Sequence, residues 1–225
     1  MRRIFILILC LALVIGPVQA GSSTKYVALT FDDGPSGRFT RRLLDGLAER
    51  DVKATFLLCG YRLKDYPNEA QRIMEEGHEI GLHGYSHGDM CAMTQAQVEK
   101  ELRDTRALLP AGCAVTFMRP PGGSCGDHVQ QAAKNQGVAI LSWSLDPKDW
   151  ATRDVSLIVR RVTEQVSDGD VILMHDMTDS SVTAALRIID ILTDRGYVFV
   201  TASQLAEIKG IHPHPGAMYC RFDDE

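Results

Sequence analysis

Seven apolar runs of strand length punctuate the chain: Lys25 to Phe31, Lys53 to Cys59, His78 to His83, Val115 to Met118, Val138 to Leu145, Val171 to His175 and Tyr197 to Thr201. Each is followed by a stretch in which apolar residues recur at helical spacing, as Ala185, Ile188, Ile189 and Leu192 do, and this alternation predicts seven βα units. Helix ends are marked as well. Thr94-x-x-Gln97 reads as a capping box ahead of Val98, Leu102 and Leu108, and Gly196 closes the helix that holds Ala185 to Leu192. Runs such as Val171-Ile172-Leu173-Met174 show no polar alternation, which suits parallel strands covered on both faces. A closed or nearly closed α/β barrel is expected. The alternative, an open doubly wound sheet, lacks a glycine-rich phosphate loop after the first strand, which argues against nucleotide binding.

The first twenty residues follow another pattern. Arg2-Arg3 lead into an uncharged apolar run from Ile4 to Ile15, then the breaker pair Gly16-Pro17 and Val18-Gln19-Ala20, with small residues spaced for cleavage. This is the layout of a secretory signal peptide, and the run is shorter than the roughly 18 residues that span a bilayer. Cys10 does not mark lipid attachment, because Leu9 stands where a small residue is needed. The expected organisation is a signal peptide over 1–20, one domain over 21–209 and a tail over 210–225 that drapes on the domain or stays loose. A secreted or wall-associated monomer with no stable membrane span follows.

The whole chain has 225 residues, 45% hydrophobic and 24% charged, with a net charge of −5, which is the composition of an ordinary globular domain. Removing residues 1–20 takes away two arginines and no acid, leaving 22 basic against 29 acidic residues, a net of −7. That balance argues against nucleic acid or anionic lipid as a partner held by bulk charge. Cys59, Cys91, Cys113, Cys125 and Cys220 show no C-x-x-C spacing, so a thiolate metal cluster is not expected. In an exported chain some would oxidise, and Cys113 and Cys125, which flank the fourth strand, are the candidate pair.

Polar motifs gather at the C-terminal ends of the predicted strands, where α/β barrels and open sheets place their active sites. Thr30-Phe31-Asp32-Asp33-Gly34-Pro35 sets two adjacent carboxylates at a forced turn, pointing in opposite directions if the strand continues. His83 and His87 stand four apart, a spacing that on a helical turn delivers two imidazoles to one divalent ion. Arg119-Pro120-Pro121 gives a rigid exit for a guanidinium, Asp146-Pro147-Lys148-Asp149-Trp150 follows the fifth strand, and His175-Asp176 emerges from a buried one. Taken singly, each also reads as a polar turn, a surface histidine or core packing.

Together and in this order, T-F-D-D-G-P, H-x-x-x-H, R-P-P, D-W and L-x-H-D resemble the five motifs of the polysaccharide deacetylases, the NodB-homology domains of carbohydrate esterase family 4, over about residues 25–208. The resemblance implies a distorted (β/α)7 barrel and metal-dependent hydrolysis of the N-acetyl group of N-acetylglucosamine units in peptidoglycan or chitin-like oligosaccharides. By that resemblance Asp33, His83 and His87 hold the ion, Zn²⁺ or else Co²⁺ or another divalent metal. Asp32 is the general base and Arg119 positions it; His175 is the general acid and Asp149 orients it. The Gly122 backbone N–H is the oxyanion donor, while Trp150, Leu173 and Pro120 line the pocket for the acetyl group. Two imidazoles and one carboxylate leave coordination positions open, as catalytic zinc requires. A glucosamine nitrogen leaves poorly unless protonated, a task suited to an imidazolium held by a carboxylate.

Two positions depart from the family pattern. Gly122 stands where an aromatic residue is usual, and Gly84 stands where a hydroxyl residue usually follows the first ligand histidine. Both put substrate shape and efficiency in doubt without deleting a catalytic group. O-deacetylation of acetylated xylan is the alternative activity, since ester and amide present the same carbonyl, and a silent carbohydrate-binding barrel is the alternative of another class. His78, His128, His212 and His214 fit no motif, and Trp150 has plain core packing as its rival role.

Overall fold

The computed structural model describes residues 24–223, so the expected signal peptide and Cys10 lie outside the described residues. The expected alternation is realised as a curled parallel sheet clothed by helices. In chain order the elements are β1 (Lys25–Asp32), α1 (Arg38–Glu49), β2 (Thr55–Leu58), α2 (Gly60–Asp65), α3 (Pro67–Glu75), β3 (Glu79–Leu82) and α4 (Gln95–Arg106). They continue with β4 (Phe117–Met118), α5 (Asp127–Asn135), β5 (Ala139–Leu141), α6 (Val155–Thr163), β6 (Val171–His175), α7 (Asp179–Asp194), β7 (Tyr197–Val200), α8 (Ala202–Ile208) and β8 (Met218–Tyr219). The capping box forms at Thr94 and Gln97, although α4 ends at Arg106 and leaves Leu108 in the following turn. Among the described residues no helix is long and apolar enough to cross a membrane.

The strand order is β6-β1-β2-β3-β4-β5-β8, with β7 added alongside β1. β1 is the hub: Ala28–Asp32 pair with β6, Thr30–Asp32 with β2 and Lys25–Ala28 with β7. This register sets Asp32 beside His175. Because side chains alternate along a strand, Val27, Leu29 and Phe31 join the large core beneath α1, α6 and α7. Ala28 instead joins Phe117, Leu141, Val171 and Phe222 in a separate cluster, while Thr30 and Asp32 meet Arg119.

The barrel is distorted at one seam. The run Val138 to Leu145 yields only a three-residue strand: Ser142 N–H still donates to Tyr219 O of β8 at 2.7 Å, but Ser144 Oγ turns to Asp170 Oδ1 at 2.7 Å. β5 itself forms no ladder with β6; the chain meets β6 only after the strand, at the isolated bridge of Leu145 with Ile172 and the bonds of Ser144 to Val171. The C-terminal residues occupy the gap: β8 pairs with β5, and Arg221 bridges Asp170. The tail is therefore draped, and its anchor Phe222 is fully buried against Tyr219 (ring centroids 5.6 Å) and Phe117 (6.3 Å).

The expected Cys113–Cys125 pairing does not form, and all five cysteines in the described residues are free. β4 holds these two apart: Cys113 packs against the large core, whereas Cys125 packs on the cluster of Met90, Val98 and Val129. Burial pushes both thiols, and that of Cys59, above their ordinary range, which disfavours the reactive thiolate.

Phe222→Ala is expected to cost about 3–5 kcal/mol of unfolding free energy, the range for emptying a fully buried aromatic site. Urea denaturation of both proteins measures it, and a loss below about 1 kcal/mol would show that the tail is not part of the core.

Candidate active site and metal centre

The C-terminal ends of β1, β3, β4 and β6 converge with the loop after β5 on one cavity of about 410 Å³. β1 ends at Asp32, and Asp33 enters the left-handed region at φ 73°, so the two carboxylates do not diverge as on a continuing strand. Both line the same cavity at different places. Asp32 Oδ1 accepts from Arg119 Nη1 at 2.6 Å. Asp33 Oδ1 lies 2.9 Å from His87 Nε2 and 3.2 Å from His83 Nε2.

Asp33 Oδ1 is buried and yet accepts no well-aligned hydrogen bond, despite two imidazole nitrogens at contact distance. Three ligand atoms, each within 4.8 Å of the others, with an orphaned carboxylate oxygen among them, fit a divalent cation. His83 Nδ1 lies 2.8 Å from Arg119 O, a contact that fixes it as the donor and leaves Nε2 as the free ligand atom. Burial alone would raise the Asp33 pKa, but the adjacent His83 and His87 hold its carboxyl far below the usual carboxylate range. Asp33 in turn raises the pKa of His87.

The four-residue histidine spacing works without a helix. His83 directly follows β3, and the chain then turns through Gly84 at φ 75° to His87 at φ 58°. Glu101 on α4 clamps this loop: its Oε2 accepts from Tyr85 N at 2.7 Å, Ser86 N at 2.7 Å and Ser86 Oγ at 3.0 Å. A Cβ at residue 84 would stand 2.8 Å from Met90 Cε and 3.3 Å from Glu101 Oε2 on a backbone that L side chains rarely adopt. The departure at Gly84 is thus built into the loop. Nothing in the sequence marks Glu101, which reads as one polar position on an amphipathic helix.

On the opposite wall, Asp149 is fully buried in a single 3-10 turn and engages His175 twice, accepting from its backbone N at 3.0 Å and lying 2.8 Å from its Nδ1. Burial on its own would lower the His175 pKa. The bond to Asp149 outweighs it, together with the charges of Asp149, Asp32 and Asp33, and the imidazole is pushed up to about 9. Asp146 Oδ1 accepts from Lys148 N at 2.7 Å and pins the left-handed turn that leads into Asp149.

Trp150 is 58% exposed and lines the cavity, so it is not core, and Leu173 lines it as well. Pro120 is buried and absent from the cavity lining, contrary to its expected place there; its ring instead fixes φ at −70° as the chain leaves β4. Gly122 lines the wall at φ 68°, and a Cβ there would meet nothing within 4 Å, so this side of the cavity is open. Trp143, unassigned in the sequence, also lines the cavity, with the Arg119 guanidinium 5.6 Å from its ring centroid. His78 is buried and pulled down to about 4 by burial and by nearby Lys53 and Arg72; His212 and His214 are exposed. The Asp33–His83–His87 group is the one metal-compatible cluster among the described residues.

The family model for polysaccharide deacetylases matches residues 19–141. The chain is similar to the peptidoglycan-N-acetylmuramic acid deacetylase PdaC of Bacillus subtilis, 39% identical over 187 residues that make up 82% of this chain and 39% of that protein. It is also similar to the chitooligosaccharide deacetylase of Sinorhizobium fredii, 34% identical over 202 residues, 83% of this chain and 94% of that protein. The chain thus spans about two fifths of the length of the first and nearly all of the second. Among solved structures it resembles a family 4 acetyl xylan esterase from Clostridium thermocellum in complex with a cobalt ion, with a TM-score of 0.80, 34% identity and coverage of 88% of this chain and 98% of that one.

Two outcomes follow from this geometry. Glu101→Ala is expected to weaken Zn²⁺ or Co²⁺ binding by roughly 10–100-fold, the usual cost of losing an outer-shell partner, in a competition titration against a chromogenic chelator. Unchanged affinity would remove the clamp from the site. In metal-free protein, His175 should titrate near 9 by NMR and fall back toward its ordinary 6.5 in Asp149→Asn. Since its folded pKa is the higher one, its stabilising contribution is complete below about 6.5 and is lost as pH rises through about 9.

Proposed function

The chain belongs to the polysaccharide deacetylase family, and we propose that it hydrolyses the N-acetyl group of amino-sugar units in peptidoglycan or chitin-like glycans, releasing acetate. The observation that carries this reading is one cavity flanked by an arginine-held carboxylate, a carboxylate-held imidazole and an Asp-His-His cluster with metal-ligand spacing. The names of the relatives support the substrate class. We also propose export through the signal peptide over 1–20 and action as a monomer.

Asp33, His83 and His87 are the residues that would hold the ion, Zn²⁺ in this proposal. When bound, such an ion polarises the acetyl carbonyl and acidifies a water. Asp32 accepts the proton of the attacking water while Arg119, bonded to its Oδ1, fixes its orientation. The new C–O bond forms as the amide C–N bond breaks, and His175 delivers its proton to the departing nitrogen, so the amine leaves neutral. Asp149 keeps that imidazole aimed and charged. The Gly122 N–H donates to the oxygen on which charge develops. Trp150 and Leu173 form the apolar wall for the acetyl methyl.

The second reading, O-deacetylation, is favoured by one observation: the chain covers 98% of an acetyl xylan esterase structure. Acetate release from peptidoglycan, chitooligosaccharide and acetylated xylan, with and without a chelator, separates the two. Release from the amide substrates, lost with chelator and restored by Zn²⁺ or Co²⁺, is expected. Asp32→Asn should lower turnover by at least 100-fold, as loss of a general base does, while metal affinity is kept. Near wild-type turnover in that variant would sink the role of Asp32, and release from xylan alone would select the esterase.

A further inference from the structure

A second concavity opens at the same end of the barrel. It measures about 470 Å³, and its walls carry Arg38, Arg41 and Arg62 together with Ser36, Tyr66 and Met177. Connectivity ties it to the active site. Ser36 follows Asp33 by three positions and Met177 follows His175 by two, so the Cα atoms of Asp33 and Ser36 are at most about 11 Å apart. A glycan strand with one unit over the acetyl pocket can therefore place a neighbouring unit at this cleft.

Its charge is out of keeping with the rest of the molecule. The chain carries −5 overall, and the catalytic cavity is lined by Asp32, Asp33 and Asp146. Arg41 is paired with Glu69. Arg38 and Arg62 have no carboxylate partner among the described residues. Each lies over an aromatic ring, Arg38 at 4.6 Å from the Phe39 centroid and Arg62 at 5.3 Å from that of Tyr61, and Arg62 Nε donates to Tyr61 Oη at 3.1 Å. A guanidinium stacked in this way keeps its terminal N–H fork for an oxyanion, with less motion to lose on binding than a free side chain.

We infer that this cleft is an anion subsite in which Arg38 and Arg62 hold a carboxylate carried by the glycan, so that the enzyme prefers peptidoglycan to neutral amino-sugar polymers. The inference rests on the deacetylase reading and names its substrate class. Peptidoglycan supplies such carboxylates from two sources, the free carboxyls of the stem peptide and, on muramic acid units without a stem, the lactyl carboxylate to which the stem would otherwise be amide-linked. Chitooligosaccharides supply none.

The test measures binding by calorimetry on the metal-loaded Asp32→Asn protein, alone and with Arg38→Gln/Arg62→Gln or Arg38→Lys/Arg62→Lys added. The probes are a peptide-bearing muramoyl oligosaccharide, the same oligosaccharide with a free lactyl carboxylate, and chitotetraose. The glutamine pair should raise Kd for a carboxylated probe by roughly 10–100-fold, the value of one or two charge-assisted hydrogen bonds, and leave chitotetraose unchanged. The lysine pair should recover part of the loss, and added salt should weaken only the carboxylated probes. Loss on the peptide-free probe assigns the lactyl group, and loss confined to the peptide-bearing probe assigns the stem. Equal loss on chitotetraose, or no loss on any probe, would overturn the subsite. Acetate release by the wild-type enzyme from the same three probes is followed in parallel; its absence sinks the deacetylase reading and leaves the binding result standing on its own.

Discussion

A guanidinium sealed inside the barrel has to be answered by oxygen atoms on every side, and Arg119 is fully buried. Its answers come from β1 and from the end of β5. Nε donates to Leu141 O at 2.8 Å, Nη2 to Ser142 O at 2.8 Å, and Nη1 to Thr30 Oγ1 at 2.9 Å and Asp32 Oδ1 at 2.6 Å. The carbonyl of Arg119 itself orients His83. One side chain thus joins the ends of β1 and β5 to the exit of β4, and fixes both the carboxylate proposed as base and an imidazole of the candidate metal cluster. Removing it would strand Asp32 and several acceptors in a dry interior, so the packing of this end of the barrel and the alignment of its chemistry share one cause.

The loops that surround this centre hold conformations a chain adopts only under constraint. Of the four non-glycine residues with positive φ in the described chain, Asp33 and His87 are in the metal cluster and Lys148 leads into Asp149. Each is held by a specific device. Asp33 is flanked by two imidazoles, the His87 loop is clamped by Glu101, and Lys148 is pinned by Asp146. Strained backbone persists where its surroundings over-determine it, and here those surroundings are the polar contacts that arrange the site.

The same distinction separates what could be read from the sequence from what could not. The seven βα units, the Thr94–Gln97 cap and the grouping of Asp32, His83, Arg119 and His175 at strand ends follow from periodicity and local signals, which a linear sequence carries. The non-helical path from His83 to His87 depends on Glu101, remote in sequence and ordinary in pattern. β8 spans two residues and exists because β5 breaks off early and leaves an edge to cover, a tertiary reason with no local trace. Pro120 lies outside the cavity lining for a related reason: the motif gives its position in the chain, while the side that its ring faces is set by packing. The cysteines show the limit of spacing arguments, since two residues that flank a short strand can pack into separate clusters.

The electrostatics of the two walls are coupled. Besides Asp149, the charges of Asp32 and Asp33 contribute to raising the His175 pKa toward 9. A cation held by Asp33, His83 and His87 would offset one of those charges. Its charge would draw the His175 pKa down toward the range where an imidazolium transfers its proton more readily. Asp149, bonded to Nδ1, would oppose that shift and keep the proton on the imidazole. The barrel thus separates the group that sets the charge on His175 from the group that tunes it, and the register of β1 with β6, which places Asp32 beside His175, brings both within reach of the same proton.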